Sequence, residues 1–394
     1  MSKHFEYINE KAVKAGVRIR TAVPNDARRI QTLYAEIYGA DYSVPLVTDR
    51  ESLVKLISGD NSYWLVADHN GRIVGSLAFE IDRACRAAKL FGAVVSREYR
   101  ELELAHTMIK IILDDIIRDK DEVDVVYATA RTASKAPQKI TSDLGFVKLG
   151  IFPNTHKVRD SETHCLVALF GRNAMEKRKS IPKIIPEVKP FFDLVAEQMP
   201  LGACGTEDVT GTYSDPQTKI PLMDFEVITA PSFVKHSYGK CRAGGVFEHV
   251  LSPFQQPNMM LITPDMKNTV YIYYNKQDRY SVILGGAAEE KNAAVLLEST
   301  AHKLKELGLS YVEILVDAYE PRLQREAVDA RFIPSAYFPC IKFNAGERMD
   351  GIVFSKTFEI LDFRNVDILP VFKDFLRAYL ALWQENYINI AFRK

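Results

Sequence analysis

Between Phe91 and Arg118 the spacing of apolar residues changes period. Phe91 to Val95 is a short apolar run, the pattern of a buried strand. Ser96-Arg97-Glu98-Tyr99-Arg100 is polar and reads as a turn. Leu104, Met108, Ile111, Ile112 and Ile116 then fall at steps of four, three, one and four, one face of a helix. A buried strand, an arginine-bearing turn and a helix start form a place where free N–H groups and the helix dipole can hold a phosphate. The rest of the chain reads as a frame around this unit.

Upstream, residues 1–16 read as a polar leader and Val17–Thr21 as a first strand. Pro24-Asn25-Asp26 opens a helix, with Asp or Asn able to cap it. Ile30, Leu33, Tyr34 and Ile37 form its apolar face, and Gly39 ends it. A loop over 40–48 carries Tyr42 and Pro45. A short helix, Glu51–Ile57, leads to a hairpin of Tyr63–Ala67 and Arg72–Ile81 around His69-Asn70-Gly71. Downstream of the central unit come a strand at Val123–Ala130, a helix at Pro137–Leu144, and strands at Phe146–Phe152 and His164–Phe170.

The segment Gly171–Ile185 is basic and polar, a connector in which Lys177-Arg178-Lys179 is expected to be solvated. A helix over Pro186–Met199 and a long loop over 200–222 follow. Phe225–Ile228, Met259–Ile262, Val270–Tyr274 and Tyr280–Leu284 read as strands. Region 229–257, with Gly244-Gly245, has no clear period. The end of the chain repeats the first half at an offset of 186 residues. Val126, Gln138, Asp143, Phe146, Phe152 and Pro153 recur as Val312, Gln324, Asp329, Phe332, Phe338 and Pro339. Chance would give roughly two such identities in a stretch of this length. Helix 293–307 maps on 107–121, and strand Tyr311–Ala318 on Val125–Thr132. The last helix, Ile368 to about Tyr387, carries an aromatic stripe suited to packing.

Composition bounds the class. A chain of 394 residues fits two domains, and its 47% hydrophobic and 26% charged residues are those of a globular protein. Lys+Arg and Asp+Glu both number 51, which argues against a dedicated nucleic-acid binder. Cys85, Cys165, Cys204, Cys241 and Cys340 are scattered, without C-x-x-C spacing, as expected of reduced thiols in a cytoplasmic protein. No apolar run is long enough for a membrane span, and no signal core opens the chain. His236, Cys241 and His249 lack a zinc spacing, so no metal is expected.

The central unit resembles the acyl-CoA-binding motif of the GNAT superfamily of N-acyltransferases, roughly V-x-P-x-Y-R-G-x-G-I-G/A-x-x-L. Val95, Tyr99, Arg100, Leu104, Ala105 and Met108 stand at matching places. Two glycine positions hold Glu101 and Glu103 instead. The order of elements over residues 17–170, with D143-L-G-F146 late in the run, is also similar to that family. The resemblance implies an α/β fold with a mixed sheet. With the repeat, it implies two tandem GNAT-like domains, 1–175 and 186–394. In the second, Gly285-Gly286-Ala287-Ala288-Glu289-Glu290 would be the phosphate loop, with Glu289 opposite Glu103.

The resemblance also implies roles. Acetyl-CoA or another acyl-CoA would serve as co-substrate, held by Val94, Val95, Arg100, Glu101, Leu104, Ala105 and Ser134. Glu80 would take the proton of the attacking amine, with Asp82 next in line, although the plainer reading of the residues is an exposed strand-end carboxylate. The family's tyrosine acid falls at Thr141 here and at Ala327 in the repeat. Tyr127 or Tyr99, or Tyr319 or Tyr337 in the second half, would have to replace it. The expected function is acyl transfer to a small amine or amino-acid-like acceptor. Two rivals stand beside it: a non-catalytic ligand-binding protein of the same fold, and a transferase using aminoacyl-tRNA, against which the zero net charge weighs.

Overall fold

The computed structural model describes residues 9–39, 49–157, 160–215, 218–243, 255–288 and 293–389. The expected loop 40–48, Gly244-Gly245 and Glu289-Glu290 lie outside them. The chain forms two compact units. One comprises Met1–Thr129, Ala136–Phe146 and Val167–Glu176; the other comprises Ala130–Lys135, Val147–Leu166 and Lys177–Lys394.

The first unit holds β1 (Val17–Thr21), β2 (Ser62–His69), β3 (Arg72–Asp82), β4 (Ala87–Val95) and the start of β5 (Val125–Arg131). They are neighbours in that order. All pairs are antiparallel except β4 and β5, which are parallel. Asn70 and Gly71 both take positive φ, the backbone a tight hairpin turn requires. The helices are α1 (Glu10–Lys14), α2 (Ala27–Tyr38), α3 (Arg50–Ser58), α4 (Leu104–Leu113) and α5 (Ala136–Asp143). Ile30, Leu33 and Tyr34 of α2 and Leu53 of α3 bury one sheet face with Trp64, Ala78 and Val94. On the other face, Met108 and Leu104 of α4 close on Gly75 of β3. The apolar stripe of α4 thus does what its period predicts.

Asp26 does not cap α2 through its side chain. It is fully buried, pairs with Arg20 and Arg29, and accepts the Val23 N–H at 2.8 Å. Strand β4 begins at Ala87 rather than Phe91, because Ala87–Leu90 pair with both β3 and β5.

The second unit holds β6 (Val147–Lys157), β8 (Glu226–Ile228), β9 (Met259–Ile262), β10 (Thr269–Asn275), β11 (Tyr280–Ala287), β12 (Tyr311–Asp317), β13 (Ile333–Asn344) and β14 (Glu347–Thr357). Their order is β6-β13-β14-β12-β11-β10-β9-β8. β7 (Ser161–Phe170) begins in this unit, beside β6, and ends in the first, beside β5. The helices after α5 are α6 (Arg172–Glu176), α7 (Lys189–Ala196), α8 (Pro231–Ala243), α9 (Ala293–Glu306), α10 (Pro321–Asp329) and α11 (Pro370–Tyr387). Phe375 of the aromatic stripe packs on Phe191 of α7, ring centroids 6.2 Å apart.

The repeat is visible in the strands. β4 and β5 pair in parallel from Ala87↔Val125 to Leu90↔Ala128. β11 and β12 do the same from Tyr280↔Tyr311 to Ile283↔Ile314. β5 is followed in space by β7 and β6, as β12 is by β14 and β13. The segments 124–153 and 310–339 therefore hold equivalent positions. The 186-residue offset fails upstream of β5, because the connection from β11 to β12 is shorter than that from β4 to β5.

Two expectations are corrected here. Gly285 and Gly286 lie inside β11, paired with Tyr271 and Val270, not in a phosphate loop. Arg178 is not solvated: its side chain is 6% exposed and forks onto the fully buried Asp350 at 3.0 and 3.1 Å from Nε. Asp350 also receives the Tyr337 hydroxyl and the Cys340 N–H. A buried carboxylate needs such partners. Among the described residues, no helix is long and apolar enough to cross a membrane.

Candidate functional site

The parallel pairing of β4 and β5 stops at Leu90 and Ala128, although β4 runs on to Val95 and β5 to Arg131. The two strands part there. Just before the parting, three side chains stand in one register row: Glu80 opposite Lys89, and Lys89 beside Tyr127. Glu80 is two residues from Ala78 and Lys89 two from Phe91, so the row lies on the face that carries α2 and α3. Glu80 and Tyr127 are two strand spacings apart, roughly 10 Å between backbones. Burial pushes the Glu80 carboxyl above the usual range; the Lys89 charge opposes this and Asp82 adds to it. A raised carboxyl suits a base that works near neutral pH. Asp82 is committed elsewhere: its Oδ1 accepts the Cys85 N–H at 2.9 Å and ties the turn after β3.

Just past the parting, β4 carries a bulge. Ser76 pairs with Val94 and Ala78 with Phe91, leaving Gly92-Ala93 against Leu77 alone. Gly92 has φ +63°, and a Cβ there would lie 2.6 Å from the Tyr34 hydroxyl. That hydroxyl donates to the Gly92 carbonyl. The periodicity of Phe91–Val95 gives no sign of this slip; only the glycine at 92 hints at it.

Val94 is buried and Val95 half-buried at the end of β4. A 3-10 turn, Arg97–Leu102, leads to α4. Arg100 and Glu101 are exposed on it; Leu104 is buried and Ala105 half-buried in the first turn of α4. Glu103 sits at the N-cap of α4 with φ 56° and ψ 28°, the left-handed backbone that glycine favours. The backbone here takes the conformation glycine favours although no glycine stands at the position. The Glu103 carboxylate does not cap the helix, contrary to expectation for an acid at a helix start. It turns instead to Lys11 of α1, Nζ to Oε1 2.6 Å, with both side chains exposed. Asn9 reaches the same loop, its Nδ2 donating to the Leu102 carbonyl at 2.9 Å and to Thr107 Oγ1 at 2.8 Å. The early N–H groups of α4 lie outside the helical ladder and can receive an anion.

The remaining candidates are placed as follows. Ser134 is exposed in the segment 130–135, which belongs to the second unit. Tyr99 is held by β2, its hydroxyl 2.7 Å from His69 Nδ1. Thr141 is buried, and its hydroxyl donates to the carbonyls of Pro137 and Gln138 within its own helix. Tyr337 is tied to Asp350. The Lys179 ammonium lies 4.6 Å from the ring centre of Tyr319.

The second unit repeats the row with different chemistry. Tyr273 pairs with Val282, and Val282 with Glu313. Glu313 is 2% exposed. Its Oε1 accepts the Tyr280 hydroxyl at 2.6 Å and its Oε2 the Tyr311 hydroxyl at 3.0 Å.

Comparison with known proteins adds likeness without a match in sequence. No family profile matches the chain, and no curated protein does. Solved structures similar to it include a ribosomal-protein-S5-alanine acetyltransferase from Vibrio fischeri, 15% identical, TM-score 0.36, covering 43% of this chain and 98% of its own. An acetyltransferase of the GNAT family from Streptococcus pneumoniae is 19% identical, TM-score 0.34, over 39% of this chain and 99% of its own. A variant spermidine N-acetyltransferase from Vibrio cholerae is 15% identical, TM-score 0.34, over 40% and 94%.

Proposed function

We propose that the chain is a tandem GNAT-like protein, with repeats at 1–175 and 186–394, that transfers an acyl group from acetyl-CoA or another acyl-CoA to a small amine or amino-acid-like acceptor. The observation that carries this reading is the row Glu80–Lys89–Tyr127, set just before the point where β4 and β5 part. Arg100 and the first turn of α4 would hold the pyrophosphate, beside a left-handed Glu103 backbone of the kind the family's glycine supplies. Val94, Val95, Leu104 and Ala105 would line its approach.

In this reading the acceptor nitrogen attacks the thioester carbon. Glu80 takes the proton from that nitrogen, through water where the acceptor does not reach it. N–H groups of the bulge would donate to the developing oxyanion. The C–S bond breaks, and Tyr127 returns a proton to the thiolate. Lys89, between the two, keeps Glu80 from rising further toward the protonated form. The first repeat is the competent one: in the second, Tyr273 stands at the place of Glu80, and Glu313, at the place of Tyr127, is closed off by two tyrosine hydroxyls. A cytoplasmic location accords with the scattered thiols.

One observation favours the non-catalytic reading. Lys11 and Asn9 reach over the α4 entrance and occupy groups near the anion site. Calorimetry with coenzyme A and acetyl-CoA, followed by an acyl-transfer assay on a panel of polyamines and amino acids, separates the two. Binding with turnover that Glu80→Gln abolishes supports the enzyme. Binding without turnover on the panel sinks the proposed acceptor class, and no binding sinks the acyl-CoA reading.

A further inference from the structure

Tyr34 and Tyr238 make similar connections in the two units, to carbonyls one residue apart in equivalent strand positions. Tyr34 of α2 is 2% exposed and donates to the carbonyl of Gly92 in the β4 bulge. Tyr238 of α8 is 5% exposed and donates to the carbonyl of Leu284 in β11 at 3.3 Å. β11 is bulged there too: Tyr271 pairs with Gly285 and Ile272 with Ile283, so Leu284 has no partner on β10. In each unit the bulge lies just past the last parallel pair, Leu90↔Ala128 or Ile283↔Ile314.

A carbonyl displaced from its ladder and partly shielded from water needs a donor. A tyrosine from the covering helix supplies one. The consequence reaches further than satisfaction of the bond. The Gly92 carbonyl and the Ala93 N–H belong to one rigid peptide plane and point in opposite directions across it. Fixing the oxygen on the α2 side therefore fixes the direction of the N–H on the other. Ala93 is exposed, whereas its neighbour Val94 is buried.

We infer that Tyr34 is a positioning residue: through the 92–93 peptide plane it holds the Ala93 N–H as a preset donor to the oxyanion of the acyl-transfer step. The inference rests on the acyl-transfer reading above. It assigns Tyr34 a role in the turnover step and none in holding the donor molecule. Tyr238 makes the corresponding bond beside the closed-off Glu313 and serves structure alone.

Tyr34→Phe removes the hydroxyl and keeps the ring. Two readouts are taken on the full chain, with Tyr238→Phe as the control. Amide exchange at Ala93 should quicken about tenfold or more in Tyr34→Phe and stay unchanged in Tyr238→Phe. The kcat should fall roughly tenfold to a hundredfold, the scale of a mispositioned reacting group, with the acetyl-CoA dissociation constant unchanged. Tyr238→Phe should keep the wild-type kcat. Unchanged kcat in Tyr34→Phe overturns the inference. So does a fall in kcat matched by weaker acetyl-CoA binding, or one that Tyr238→Phe reproduces. Wild-type protein without transferase activity overturns the acyl-transfer reading and the catalytic role with it; the exchange measurement still reports whether Tyr34 holds Ala93, so the two failures are told apart.

Discussion

The Tyr280 hydroxyl donates to Glu313 at 2.6 Å in a setting where the carboxylate is 2% exposed. The Tyr280 and Tyr311 rings stack, 5.8 Å between centroids and 11° between planes. Burial, and then the Glu313 charge, raises both hydroxyls well above the ordinary tyrosine range, so both stay protonated as donors. Glu313→Ala removes the carboxylate acceptor of two buried hydroxyls and should cost about 2–4 kcal/mol of stability, the range for two lost buried hydrogen bonds. Denaturant unfolding of the variant reads this directly, and acyl transfer should persist under conditions where it stays folded.

Glu80→Gln should lower kcat by about a hundredfold or more, the range for loss of a general base, and leave acetyl-CoA affinity unchanged. With Glu80 as the proposed base, the wild-type kcat/KM should rise with pH through a value above the ordinary carboxylate range, since a base would act only when deprotonated and burial raises the Glu80 pKa. The stability effect has the same origin. A raised carboxyl favours the folded state at pH below its unfolded value and loses that contribution as pH rises through the folded one. Glu80→Gln should therefore gain stability over wild type at pH 7 relative to pH 4, as followed by thermal melts at both.

His164 is buried beside Glu162, and burial lowers its pKa to about 4 despite the opposing carboxylate at 3.4 Å. An unfolded histidine takes a proton near pH 6.5, and this one resists until about 4. Stability is therefore lost as pH falls through that window. His164→Gln should flatten the stability profile between pH 6.5 and 4, measured by urea midpoints. An unchanged slope would place the acid sensitivity elsewhere.

Arg100→Ala should weaken coenzyme A binding by roughly 1.5–3 kcal/mol, the range for charge-assisted hydrogen bonds. Glu103→Gly should tighten it severalfold, because it removes a negative charge from the α4 entrance and keeps the left-handed backbone. The melting temperature should stay near that of wild type, since the lost pair with Lys11 is exposed. Calorimetry on both variants checks the pair of expectations.

Much of this arrangement was legible in the residues. The change of period at Phe91–Arg118 located β4, its turn and α4, because one helix face and one strand had to be buried. The six identities across the repeat located equivalent strands. Tertiary pairing decided the rest. The slip at Gly92-Ala93 depends on the register of β3, which no local pattern encodes. Glu103 kept a backbone that residue type argues against, because the turn before α4 requires it. Arg178 sat in a run of charges that local composition reads as solvated, and its partner Asp350 lies far along the chain. Helix α8 has no readable period because few of its residues are apolar and one of them, Phe233, is 55% exposed. The row Glu80–Lys89–Tyr127 was half legible: the two ends were named from resemblance, and the lysine between them appeared only with the register.

Strand β6 is written in the first half of the sequence and built into the second unit, where Gly150 lies against Ala336 of β13 with no room for a side chain. The two repeats are therefore not two modules. A polypeptide beginning at Lys177 would lack one of its own strands and carry β13 as a bare edge, open to pairing with other chains. A cut at the connector would separate a strand from the sheet that uses it: the halves differ in chemistry, with Glu313 standing where the first has Tyr127, but the second cannot be completed without residues written in the first.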